Sequence, residues 1–215
     1  MHSAKIHTKP GSSLATAITF PAGAHCFAVL ADTHVNDRVP ELAPQLLDAI
    51  RAAAPEAIFL AGDLSKPEVI TTLAQVAPAY AVQGNQDWLR GYHLPKELWF
   101  EVNNVHVLLT HGHVNMALYT LNYLRLLLTR QKMSLRSIEQ RLAKRYPQAN
   151  LVIYGHTHFQ VYHQLGQQWF LNPGAAYPHK LNGHFIEYAF LEIGAQGEIQ
   201  VELCHLAEQS SRVYF

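Results

Sequence analysis

Cysteine is scarce in this chain: Cys26 and Cys204 are the two among 215 residues. There is no Cys-x-x-Cys pair, which leaves no thiolate metal or redox motif. Both thiols lie inside apolar strand-like runs, so they are read as buried and unbridged, as in the reducing cytoplasm. An uncharged apolar run long enough to span a bilayer is also missing, and no membrane span is expected. Nor does either sign of charge dominate. The 16 Lys and Arg balance 16 Asp and Glu, so no overall field draws the molecule to nucleic acid or to a membrane surface. With 49% apolar residues, a chain of this length can bury one substantial core, and it reads as a single domain over residues 1–215.

Residues 1–24 read as an N-terminal arm. Lys5 and Lys9, the run 14–20 and Ala22-Gly23-Ala24 imitate an export signal. The run is short and broken by Thr16 and Thr19, and removal after Ala24 would leave no lead into the first core strand. An arm with one strand around residues 16–20 is the expectation.

Histidine, by contrast, is plentiful, with fourteen in all. Five short stretches collect the chemistry: Ala31-Asp32-Thr33-His34, Ala61-Gly62-Asp63, Gly84-Asn85-Gln86-Asp87, Thr110-His111-Gly112-His113 and Tyr154-Gly155-His156-Thr157-His158. Each follows a short apolar run, which places it at the C-terminal end of a strand, where open α/β sheets gather ligands. Gly155 is read as the point where the backbone leaves the sheet sharply, letting the His156 and His158 rings diverge. Taken singly, each residue has a plainer reading. Asp32, Asp63 and Asn85 could cap helices, and a lone His34 or His111 is an ordinary surface or hydrogen-bonded histidine. Taken together at these spacings, they read as a two-metal site.

The chain in order supports that placement. Strands are expected at 25–31, 57–61 and 79–83, with helices at 40–54 and 67–76, the latter with Ser65 as N-cap. This βαβαβ order calls for a parallel sheet with helical crossovers. Strands then follow at 98–102 and 105–110, joined by a hairpin turn at Asn103-Asn104, and at 151–154, 159–165, 169–172, 184–193 and 198–206. A strand-rich second half after a βαβ half implies two sheets packed face to face, with helices outside.

Residues 116–146 stand apart as a helical insertion. Two helices fit, 116–129 and 134–146, with Ser134 capping the second. The first is apolar almost all round (Leu118, Leu121, Tyr123, Leu124, Leu126, Leu127, Leu128) and should be buried on more than one side. Seven basic residues, Arg125, Arg130, Lys132, Arg136, Arg141, Lys144 and Arg145, face one acid, Glu139, a net +6. Two readings stand. One is a solvated face beside a helix buried in a homo-oligomer interface. The other is a basic cap in which Arg125, Arg130 and Arg136 hold the rest of an anionic substrate.

Two divalent ions about 3.5–4 Å apart need a shared carboxylate and a bridging water that loses a proton to become the nucleophile. Asp63 is the natural bridge. Asp32, His34 and His158 would complete one ion's shell, and Asn85, His111 and His156 the other's. Two dications against two carboxylates and a hydroxide leave a charge of about +1, matched to a phosphodiester anion. The amide of Asn85 and the neutral imidazoles bind metal without cancelling further charge. His113 either touches the phosphate or orients His111, and Asp87 is better placed behind the ligands than among them. His163, His179 and His184 are read as ordinary.

This series, D-x-H, G-D, G-N, H-G and G-H-x-H in that order and each after a strand, closely resembles the calcineurin-like metallophosphoesterases. The small YfcE-type phosphodiesterases are the branch it is most similar to. Asn172-Pro173-Gly174 looks like that branch's C-terminal turn, with Ala175 where serine is usual. The resemblance runs from about His25 to Leu206 and leaves out the arm and most of the insertion. It implies a four-layer α/β/β/α sandwich of two mixed sheets. It also implies hydrolysis of a phosphodiester-containing small molecule or nucleotide, with nucleic acid a less favoured substrate, and manganese first among metals before iron, zinc or nickel. Phosphomonoesterase or nucleotidase action is the enzymatic alternative. A non-catalytic protein-binding scaffold is the other, because the retromer subunit of this fold is a protein-interaction module. At Gln86 the chain departs from members that carry histidine to protonate the leaving oxygen. Glutamine has no proton to give near neutral pH.

Overall fold

The computed structural model describes residues 17–112 and 135–207. Along the chain the elements are β1 (Ile18–Thr19), β2 (His25–Leu30), α1 (Pro44–Ala53), β3 (Ala57–Leu60), α2 (Glu68–Leu73), β4 (Ala79–Ala81) and α3 (Asn85–Leu89). Next come β5 (Glu97–Val102), β6 (Val105–Thr110), α4 (Leu135–Arg145), β7 (Leu151–Ile153), β8 (Gln160–Leu165), β9 (Gln168–Pro173), β10 (Phe185–Ile193) and β11 (Ile199–Ala207). The expected helix at 116–129 lies outside the described residues.

The strands form two mixed sheets. One has the order β11-β10-β2-β3-β4, with β2, β3 and β4 parallel and β10 and β11 antiparallel. The other has the order β1-β5-β6-β7-β9-β8, in which β6, β7 and β9 run parallel. β2 and β3 read as nearly continuous apolar runs because both their faces are covered. Phe27, Val29, Phe59 and Ala61 meet Phe100, Val107, Leu109 and Ile153 of the other sheet. There the Phe59 ring lies 4.8 Å from Phe27 and 4.4 Å from Phe100, centroid to centroid. The alternate residues Ala28, Leu30, Ile58 and Leu60 pack on Leu46 and Ile50 of α1 and on Val69 and Leu73 of α2. On the far side, Leu108, Val152, Tyr154 and Phe170 receive Ile138 and Leu142 of α4. The layers are therefore α/β/β/α, as the resemblance implies.

Several boundaries move. α1 begins at Pro44, four residues later than expected, since Pro44 supplies the φ of a first helical turn. The second helix is cut to Glu68–Leu73 and its N-cap position is Pro67. Ser65 does not cap it. Ser65 is itself left-handed (φ 62°), and its N–H is turned to the Asp87 carboxylate. Asn103 and Asn104 are both left-handed (φ 50° and 63°), the geometry of a two-residue hairpin turn. Cys26 and Cys204 are unbridged as expected, but both are half-buried rather than buried. Among the described residues no helix is long and apolar enough to cross a membrane.

Candidate metal centre

The parallel strands β2, β3, β6 and β7 deliver their C-terminal ends to one place, and the loops there are unusual in backbone as well as sequence. Asp32, His34, Asp63, His156 and His158 all hold left-handed φ, between 47° and 69°. For L residues this costs on the order of 1 kcal/mol each. Gly155, expected to supply the bend, has no positive φ; the two histidines after it make the turn themselves. What Gly155 provides is space, because a Cβ there would lie 2.8 Å from the Ala61 carbonyl oxygen and 2.9 Å from Asp32 Oδ2.

The seven sequence-predicted donors come together. Nε2 of His158 is 3.4 Å from Asp32 Oδ1 and 3.3 Å from His34 Nε2. Asp63 Oδ2 sits between His34 Nε2 at 3.9 Å and His111 Nε2 at 3.5 Å. Asn85 Oδ1 is 3.1 Å from both His111 Nε2 and His156 Nδ1. Two groups have metal-ligand spacing, Asp32 with His34 and His158, and Asp32 with Asp63 and His111. All seven are largely buried except His156 and His158, which are half-buried.

Second partners aim these atoms. His111 Nδ1 donates to the Ala61 carbonyl at 2.7 Å, which leaves Nε2 facing the centre. Asp63 Oδ1 accepts from the Gln86 N–H at 2.7 Å and Asp32 Oδ2 from the His156 N–H at 2.9 Å. Asp87 stands behind them, as expected, and accepts from the N–H groups of Asp63, Ser65 and Gly84. Asn172 donates to the Gly155 carbonyl and to Thr157 Oγ1, both at 2.9 Å, pinning the histidine loop.

The titrating groups pull strongly on one another. Burial opposes charge on His111, but the Asp63 carboxylate outweighs it and pushes the imidazole up to about 10. Asp63 in turn is held well below the usual carboxylate range: burial works against this, and His111 with the Gln86 N–H prevails. Burial, reinforced by His111, pushes His156 down to about 4. His34 is lowered by burial. His158 is raised, because the Asp32 carboxylate 3.4 Å away outweighs burial.

Other residues at the site were not legible in the motifs. Asp37 Oδ2 lies 3.1 Å from His34 Nδ1. Tyr177 sets its ring edge-on to His34 and His158, and His179 stacks on Tyr177 at 4.9 Å while lying 5.4 Å from His158. His179 is thus not an ordinary histidine remote from the site. His163 contacts Glu139, and His184 occupies a left-handed turn. Arg136 is exposed on α4. His113, Arg125 and Arg130 lie outside the described residues.

Do these groups suit metal? Among the described residues, buried Asp32 Oδ1 has no hydrogen bond and faces the His158 and His34 Nε2 atoms only at 3.4 and 4.0 Å, a state that carboxylate oxygens avoid unless something else binds them. Two carboxylates, an amide oxygen and four imidazoles form a donor set for borderline divalent ions. The residues fit.

The profile of the calcineurin-like phosphoesterase superfamily domain matches residues 26–196. The chain belongs to that superfamily. A probable metallophosphoesterase of the archaeon Methanothermobacter thermautotrophicus is 35% identical over 149 residues, covering 68% of this chain and 74% of the relative. Among solved structures, a single mutant of Vps29 from Entamoeba histolytica superposes with a TM-score of 0.62 at 21% identity, over 84% of this chain and 99% of that one. A structure described as a novel archaeal phosphodiesterase gives 0.56 at 20% identity, over 83% and 99%. At these identities the two structures speak for the fold; the profile and the relative carry the family, and with it a phosphoesterase that uses divalent metal.

Proposed function

We propose that this phosphoesterase hydrolyses phosphodiesters with two divalent ions held by Asp32, His34, Asp63, Asn85, His111, His156 and His158. The observation that carries the reading is the buried Asp32 Oδ1, without a hydrogen bond among the described residues and set in a ring of candidate ligand atoms drawn from both sheets. Asp63, between His34 and His111, would be held in common by the two ions.

When bound, such ions supply an activated water as nucleophile and Lewis-acid stabilisation of the phosphoryl oxygens. The chain's own residues do the rest. Asn85 meets His111 on one side of the site and His34 meets His158 on the other, so an anion between them would be flanked by both pairs. His111 keeps Nδ1–H on the Ala61 carbonyl, which aims the ring so that a neutral imidazole would offer its Nε2 to an ion. Gln86 fixes Asp63 through its backbone N–H, and its side chain has no proton for the departing oxygen. Diesters with good leaving groups are therefore favoured over monoester dianions, whose looser transition state puts more charge on the departing oxygen and would miss that proton more. His113 at the phosphate, and Arg125, Arg130 and Arg136 on the anionic remainder of a nucleotide-like substrate, complete the proposal.

The test is metal analysis combined with turnover of a bis-aryl phosphate. Chelator-treated protein should regain activity with manganese, iron, zinc or nickel at two ions per chain, and Asp63→Asn should fall to background. Gln86→His should flatten the dependence of rate on leaving-group pKa. A protein that takes up both ions yet hydrolyses neither diesters nor monoesters would be a binding scaffold on the same fold.

A further inference from the structure

His34 has both ring nitrogens engaged, and the second engagement leads out of the site. Its Nε2 faces the donors, while Nδ1 lies 3.1 Å from Asp37 Oδ2. The other oxygen of that carboxylate, Asp37 Oδ1, accepts from Arg90 Nη2 at 2.9 Å. Arg90 is the C-cap of α3, and α3 begins with Asn85. A side-chain relay therefore runs from His34 through Asp37 to Arg90 and back along one short helix to a donor on the opposite side of the centre.

The turn that presents Asp37 is built for the task. The N–H groups of Asp37 and Arg38 both donate to the His34 carbonyl, at 3.0 and 2.8 Å. His34 and Asn36 are left-handed, which folds Asp37 back over the imidazole. A partly exposed Arg–Asp pair alone contributes little, and Arg38, at 3.5 Å from the same carboxylate, is largely exposed and adds little to it. What sets Asp37 apart is that it joins the arginine to the far nitrogen of a residue in the donor ring. A carboxylate there fixes the tautomer with the proton on Nδ1 and leaves the Nε2 lone pair for an ion.

We propose that Asp37 is a positioning residue for His34, clamped by Arg90 so that the β2 loop and α3 present their donors to the ions as one unit. The proposal rests on the metal-binding half of the function above and not on turnover.

Chelator competition and calorimetry with zinc or manganese test it. Asp37→Ala should weaken one of the two binding events by about 10- to 100-fold, the usual effect of removing a ligand's outer partner, with the other event near its wild-type value. Asp37→Asn, whose amide oxygen still accepts the Nδ1 proton, should recover part of the loss. Arg90→Met should weaken the same event by a smaller factor. Near-UV circular dichroism of the metal-free variants checks the fold, and if Asp37→Ala does not fold, Asp37→Asn decides. Both events unchanged, or both weakened equally, in a folded variant would overturn the proposal. A wild-type protein that binds two ions and cleaves no ester would remove the proposed activity and leave this inference standing.

Discussion

At the scale of single residues, the site is built by positions that tolerate almost nothing else. Gly84 is the sharpest case: a Cβ there would lie 2.1 Å from Asp63 Oδ1 and 2.2 Å from the Asp63 nitrogen. Gly84→Ala must push the Asp63 loop outward, and should cost about 1–3 kcal/mol in urea denaturation of the metal-free protein together with most of its metal uptake. A second prediction concerns pH. In metal-free protein the folded His111 imidazole sits at about 10 against an ordinary 6.5. A raised group contributes stability that is complete below the unfolded value and lost as pH rises through the folded one. Thermal midpoints of chelated protein should therefore fall between pH 7 and 10, and His111→Gln should remove most of that slope. That these seven residues would meet was legible because each follows an apolar run and each belongs to a spaced motif. Asp37 and His179 were not, since their partners are fixed by loop conformation, and left-handed backbone at non-glycine residues leaves no mark in composition. Gly155 was found but misread, as a hinge where the structure needs an empty volume.

Elements were legible in kind and less so in extent. Apolar runs and helical spacing gave the βαβαβ half and the hairpin, because burial on one face or two writes directly into the pattern. Helix starts were harder. Ser65 has the composition of a cap, but Asp87, 22 residues along the chain, claims its N–H. The basic insertion carried its clearest structural information in its one acid. Glu139 is buried on α4, accepts a hydrogen bond from the Tyr154 hydroxyl at 2.6 Å and meets His163 Nε2 at 3.2 Å. Tyr154 ends the β7 run and packs beside Gly112, so α4 is latched next to two of the site's loops. Tyr154→Phe should destabilise by about 1–2 kcal/mol in urea denaturation, since Glu139 keeps His163 but loses a buried donor. Glu139→Ala, which strips both partners, should cost more.

For the molecule as a whole, the fold class followed from the order of strands and helices, while the pairing of strands into two sheets could not be read from local pattern. β9 forms a hairpin with β8 but also pairs with β7 on its other edge, and β10 reaches back across most of the chain to β2. The donors divide between the sheets: Asp32, His34, Asp63 and Asn85 follow strands of one, and His111, His156 and His158 follow strands of the other. Ions bound there would join the layers, and ligands that bind only the folded state stabilise it by about 2.7 kcal/mol at a hundred times their dissociation constant. Metal loading should accordingly raise the thermal midpoint and slow amide exchange in β3 and β7 together. Exchange slowed in one sheet alone would contradict that coupling.

The opposite end of the sandwich is already fastened. The Asn103 amide, in the β5–β6 turn, donates to the Gly23 carbonyl at 2.6 Å and to the Gly194 carbonyl at 2.8 Å, both flanking strands of the other sheet. With that fastening at one end and a continuous apolar interface between the sheets, loss of ions bound at the other end would be felt first at the mouth, while the heel at Asn103 keeps its hold.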